Sequence, residues 1–293
     1  MRPLVFIVGL ILAAPLPGQF GGLDRLKGIG RAKDKINQAE QKAKPVTDRT
    51  QKAADAFTHW SDTEEQELGA AVAAKMVAVF GLLEDPALVR YVNLVGKGVA
   101  QFAPRQIPYR FAILDSDIVG AFAIPGGYIF ITRAALSGMT NEAQLAGALG
   151  HEIVHVAERH LETEIRGGRR SAWAAEEARA LASPGPAALR AKADAFFKEM
   201  VNMKLSREKE DGADERGTLM AGQAGYSAAG LLQFLGAMAA ANSKPENQRM
   251  FGQLLSTHPT FEDRMASLTP VVSRSAKGGK TLESRFRSHV PAA

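Results

Sequence analysis

Apolar residues first recur at helical spacing in "SDTEEQELGAAVAAKMVAVFG", which begins at Ser61 with a Ser/Asp cap and an acidic first turn. The pattern repeats in "DPALVRYVNLVGKGVAQF", so two helices are expected to open a domain. The period then changes. "YRFAILDS" and "IVGAFAIPGGYIFITRAAL" are rich in β-branched and aromatic residues, and Pro125-Gly126-Gly127 breaks the second into a hairpin. Thr140 and Asn141 offer caps to a further helix expected from about Glu142 to Ile165. Residues 166–205 read as helical but interrupted at Ser183-Pro184-Gly185-Pro186, and are too rich in Ala, Arg and Glu for a buried hairpin, which suggests a lid or partner surface. "SREKEDGADERGTLMAGQAGY" is a helix dense in acids, and "STHPTFEDRMASL" follows later. The fold class expected is mainly α with a small β-sheet, α+β.

The helix from Glu142 carries the chemistry. In "LGHEIVHVAERH", His151 and His155 stand four apart with Glu152 directly after the first. The chain's composition leaves roughly 0.01 matches to H-E-x-x-H by chance. At 3.6 residues per turn both imidazoles share one face, where they can reach a single ion at about 2.0 to 2.1 Å. Glu152 points about 100° away from His151, beside the ion rather than on it, where a carboxylate takes a proton from the attacking water. A catalytic zinc needs a third protein ligand, and without cysteine it must be His or a carboxylate. Leu161 and Glu158 rule out the metzincin arrangement; His160, five residues past His155, is expected to face away in a structural or hydrogen-bonding role. Glu176, Glu177 and the run "EKEDGADE" all offer acids, and taken alone that run reads as a solvated face.

Length and composition set the frame. With 293 residues, 46% hydrophobic and 23% charged, the chain has the make-up of a globular protein of one large domain or two small ones. Its formal charge of +5 comes largely from the flanks: residues 24–60 hold nine Lys/Arg against five Asp/Glu, and the tail after Val272 is also basic. These read as solvated segments. The absence of cysteine excludes disulfides, thiol catalysis and cysteine zinc clusters. Arg2 and the apolar run Leu4–Ala14 suit a signal peptide or N-terminal anchor over residues 1–20, which implies export. Residues 21–60 read as a basic polar linker or loose helix, 61–272 as the catalytic domain and 273–293 as a basic flexible tail. With four Tyr, two Trp and no recognition motif, nucleic acid is not an expected partner.

Four ordered blocks resemble one family: "AFAIPGGYIFITRAAL", "HEIVHVAERH", "SREKEDGAD" and "STHPTFEDR". Over Ser61 to Val272 they resemble the CAAX-prenyl-endopeptidase-like zinc peptidases (metallopeptidase family forty-eight), with the soluble BepA- and LoiP-like envelope branch the nearest in pattern. The resemblance implies a gluzincin-like domain with one Zn²⁺ per chain. The family pattern S-R-x-x-E-x-x-A-D falls on Ser206, Arg207, Glu210, Ala213 and Asp214. It makes Glu210 the third ligand, in preference to Glu176 or Glu177, and sets Asp214 to hydrogen-bond a ligand histidine. Gly120, Ala121, Phe122 and Ala123 match the family's substrate-side edge strand, although Gly120 stands where Asn is usual. His258, Pro259 and Arg264 match H-P-x-x-x-x-R, with His258 a candidate regulatory fourth ligand and Arg207 and Arg264 candidates for oxyanion or structural support. The implied activity is a metalloendopeptidase acting on unfolded or misassembled envelope proteins in the periplasm, in association with the membrane or outer-membrane assembly machinery. About 20 residues after Val272 leave no room for the helical-repeat domain of BepA-like members, so docking is expected on the core, residues 166–205 or the flanks. The competing class is a zinc-stabilised periplasmic chaperone or binding protein; a structural zinc has no use for a general base, so Glu152 favours the enzyme.

Overall fold

The computed structural model describes residues 59–167, 171–201, 203–242, 260–275 and 278–290. The signal or anchor segment, the linker up to residue 58 and His258 lie outside the described residues. Helix α1 (Asp62–Phe80) starts on a capping box: the Ser61 hydroxyl accepts from the Glu64 N–H while the Glu64 carboxylate accepts from the Ser61 N–H. Helix α2 (Pro86–Ala100) has Asp85 as its cap and proline in the first turn, where a missing N–H costs nothing.

Strands β1 (Arg110–Leu114), β2 (Ala121–Ile124) and β3 (Tyr128–Thr132) form a sheet in the order β1-β3-β2. The hairpin expected at Pro125-Gly126-Gly127 joins β2 to β3 antiparallel, with Phe122 opposite Phe130. β1 pairs with β3 in parallel, with Ile113 opposite Ile131. β2 is therefore an edge strand. Successive side chains of β3 point to opposite faces. Ile129 and Ile131 join a core with α2 and the later helices, whereas Phe130 joins a second core beneath α1.

Helix α3 (Arg133–Ser137) leads to α4 (Glu142–Ala157), whose cap Asn141 accepts from the Gln144 N–H. The single helix expected to run to Ile165 is corrected here: it stops at Ala157, and α5 (His160–Gly167) begins after a break. Arg159 holds φ of 53° at that break, a conformation unusual for a side chain with a Cβ. Its guanidinium compensates by donating to the Trp60 carbonyl at 2.8 Å and to Asp62 at 2.9 Å.

Helices α6 (Ser171–Ala182) and α7 (Pro186–Met200) flank the expected interruption. Their composition argues against a buried hairpin, yet one face of α7 is buried: Ala193, Phe196 and Met200 pack against α1. Helices α8 (Arg207–Gln223), α9 (Ala229–Asn242), α10 (Phe261–Arg274) and α11 (Glu283–His289) complete the described elements. Among the described residues no helix is long and apolar enough to cross a membrane.

The flexible tail expected after Val272 is overturned for residues 278–290. α10 runs on to Arg274, and α11 places Phe286, with no exposed surface, and Val290 in the same core as α4. Arg285 closes an ion pair on Glu142, the first residue of α4, which also accepts from the hydroxyls of Tyr91 at 2.8 Å and Tyr226 at 2.7 Å. Burial alone pushes the Glu142 carboxyl up, but these donors outweigh it and hold it below the usual range. Phe286→Ala is expected to cost about 3–5 kcal/mol, the cost of truncating a buried aromatic. Urea denaturation monitored by circular dichroism checks this, since an undocked tail predicts almost no change.

Candidate metal centre

α4 and α8 touch backbone to backbone because each has a glycine at the crossing. A Cβ on Gly217 would lie 2.5 Å from the His151 nitrogen, and one on Gly150 would lie 2.7 Å from the Gly217 oxygen. Only hydrogen fits at either position. Along α8, Glu210, Asp214 and Gly217 follow at helical spacing on one face. Seating Gly217 on α4 therefore carries both acids onto His151 and His155.

The resulting cluster is compact. His151 Nε2 lies 2.9 Å from His155 Nε2, 3.7 Å separates His151 Nε2 from Glu210 Oε2, and 3.6 Å separates His155 Nε2 from Glu210 Oε1. All three residues are buried, Glu210 completely. Among the described residues this is the only group of three or more His, Asp or Glu residues arranged to hold a metal ion. Four ligands at zinc bond lengths stand about 3.3 Å apart, and the separations here, with one Glu210 oxygen facing each histidine, run from 2.9 to 3.7 Å around that value.

The outer nitrogens of both histidines also have partners. His151 Nδ1 lies 2.8 Å from Asp214 Oδ1, and Arg264 grips both Asp214 oxygens, at 2.9 and 2.6 Å. His155 Nδ1 lies 2.8 Å from His160 Nδ1, whose Nε2 lies 3.1 Å from Glu158 Oε2. Arg216 in turn holds Glu158 at 2.6 Å. The expectation that His160 faces away is thus overturned, because the break at Arg159 turns it back; its hydrogen-bonding role is seen.

Electrostatics follow burial and these pairings. Burial and Arg264 push His151 down, but Asp214 and Glu210 prevail and raise it, so the cluster favours a positive charge that a proton or a metal ion can supply. Burial would raise Asp214, yet the Arg264 charge and the His151 contact hold it well below the carboxylate range. Burial, then the charges of Lys209 and Arg216, push His160 down to about 4, so it is neutral near pH 7.

Glu152 is buried on α4, and its charge is felt by Arg264. Arg207 stands apart, exposed at the start of α8 and paired with Asp263 at 2.6 Å. Glu176 pairs with Arg179 on α6 and is not in the cluster. A small cleft lined by Ala123, Ile124, His155, Arg159 and Glu162 joins edge strand β2 to the second histidine. Sequence reasoning overlooked Gly150, Gly217, Glu158 and Arg216. The glycines did leave a signal: each sits inside a helix, where glycine costs about 1 kcal/mol against alanine and so needs a packing reason.

Comparison with known proteins bears on this arrangement. Residues 86–272 match the model for peptidase family M48. The beta-barrel assembly-enhancing protease of Escherichia coli (strain K12) is 29% identical over 215 residues, 69% of this chain and 42% of that protein. A putative beta-barrel assembly-enhancing protease of Vibrio cholerae serotype O1 is 32% identical over 196 residues, covering 63% of this chain and 39% of its own length. Metalloprotease YcaL of Escherichia coli is 26% identical over 157 residues, 54% of this chain and 59% of that protein. The chain thus spans less than half the length of the assembly-enhancing relatives. The family match covers well over half of the chain, including both histidines and the helix that faces them, and the chain belongs to peptidase family M48, a family of metallopeptidases.

Proposed function

We propose that the chain is a zinc-dependent metalloendopeptidase that hydrolyses peptide bonds of unfolded or misassembled envelope proteins. The observation that carries this reading is the convergence of His151, His155 and Glu210 in one buried cluster next to Glu152. Two imidazoles and one carboxylate form a donor set suited to catalytic zinc, and His151, His155 and Glu210 would hold the ion. When bound, such an ion polarises the scissile carbonyl and makes a coordinated water far more acidic.

The chain's own residues do the rest. Asp214, clamped by Arg264, accepts from His151 Nδ1–H and fixes that ring. Glu152 takes the proton of the attacking water and returns it to the leaving nitrogen. Gly120 and edge strand β2, over Gly120 to Ala123, receive an extended substrate as an added strand, with the Thr132 hydroxyl anchoring Gly120 just before β2 begins at Ala121. Main-chain pairing selects little by side chain, which suits unfolded polypeptide. Arg264, buried on Asp214, fits structural support rather than the oxyanion; Arg207, paired at the surface, has no assigned part. His258 as a regulatory fourth ligand rests on its sequence block alone.

Export to the periplasm is supported by Arg2 and the apolar run Leu4–Ala14, and by likeness to proteases named for beta-barrel assembly. Contact with the membrane or the outer-membrane assembly machinery belongs to the same proposal, as do a signal or anchor over residues 1–20 and a linker to residue 60. The test is degradation of unfolded casein by purified protein. Chelation is expected to stop cleavage, and added Zn²⁺ to restore it. Stoichiometric zinc without cleavage would favour the chaperone reading instead.

A further inference from the structure

His160 is buried, contacts a candidate ligand and has no part in the hydrolysis set out above. It is held between two fixed points. One is His155 Nδ1 at 2.8 Å, the other Glu158 Oε2 at 3.1 Å. Glu158 is itself tied to Arg216 through both oxygens, at 2.6 Å each, and a carboxylate gripped in this way by a guanidinium is an acceptor. The Nε2 of His160 must then donate to it. A neutral imidazole with its proton on Nε2 has a bare lone pair on Nδ1, and that nitrogen can only accept from His155 Nδ1–H. His155 is left with its Nε2 lone pair directed at His151 and Glu210, the form in which imidazole binds a metal.

We infer that His160 is a positioning residue that, with Glu158 and Arg216, sets the tautomer of His155 and so raises the affinity of the centre for its metal. His151 gets the same service from Asp214 and Arg264, so each histidine has its own arginine-anchored carboxylate, one direct and one relayed through a second imidazole. The break after α4 is what permits this. A continuous helix would carry residue 160 away from residue 155, and the turn at Arg159, with φ of 53°, brings it back.

This inference rests on the metal-centre reading, and the experiment separates the two. Zinc affinity is measured by competition with a chromophoric chelator, beside the thermal unfolding of each metal-free protein, for the parent, His160→Leu, His160→Gln and Glu158→Gln. His160→Leu keeps bulk but loses the acceptor, and its affinity is expected to fall by about 10–100-fold. His160→Gln, whose amide can accept from His155 and donate to Glu158, is expected to recover most of that loss. Glu158→Gln, whose amide can also donate and so allow the opposite tautomer, is expected to fall in between. Unchanged affinity in folded His160→Leu, or equal losses in the Leu and Gln variants that follow unfolding temperature alone, overturns the relay. If His160→Leu does not fold, Glu158→Gln decides: a fall in affinity upholds the relay and parental affinity overturns it. A parent that binds no zinc would instead refute the metal-centre reading.

Discussion

Gly217→Val is expected to destabilise the protein by about 3 kcal/mol, the upper end for forcing atoms into a packed interface, and to abolish zinc binding with it. The added Cβ would sit 2.5 Å from a backbone nitrogen of α4, and main chain cannot turn aside as a flexible side chain can. α8 must lift. Glu210 and Asp214 lie on that same face, so lifting α8 withdraws a carboxylate from both histidines at once. Gly222, on the same helix, is the control: a Cβ there meets nothing within 4 Å. Gly222→Ala is therefore expected to stabilise by up to about 1 kcal/mol, with zinc binding unchanged, because only the helix-propensity difference acts there. Calorimetry with metal analysis on the two variants checks the pair. Two like-signed stability changes would mean that the crossing of α4 and α8 does not position the site.

Glu152→Gln is expected to lower peptidase activity by about 10²–10⁴-fold, the usual contribution of a general base, while zinc content stays at the parental level. The amide keeps the shape and the buried position of the side chain but cannot take a proton. Because Glu152 is not among the three clustered donors, its replacement separates catalysis from metal retention. Loss of zinc in this variant would place Glu152 among the ligands and refute its assignment as base.

Much of this architecture is legible in the sequence wherever local chemistry decides it. Ser61 and Asn141 cap the helices they were expected to cap, and Pro125-Gly126-Gly127 turns the hairpin. The facing of His151 and His155 follows from helical period alone. What could not be read depends on distant partners. Nothing local marks the break at Arg159, which carries neither glycine nor proline; it is stabilised by contacts to Trp60 and Asp62 about a hundred residues earlier. His160 was misoriented for the same reason. The docking of α11 was hidden by its charged neighbours, since a single Phe286 and Val290 in basic surroundings carry no clear period. Glu210 was singled out by family likeness and not by its surroundings in sequence, because an acidic run has no periodic signal that tells a buried acid from a solvated one.

The most direct measurement is bound zinc per chain together with casein cleavage, in the parent and in Glu152→Gln side by side. One zinc in each, with cleavage in the parent only, is the predicted result. One zinc in each and cleavage in neither would contradict the account, leaving a metal-stabilised binding protein in place of a peptidase.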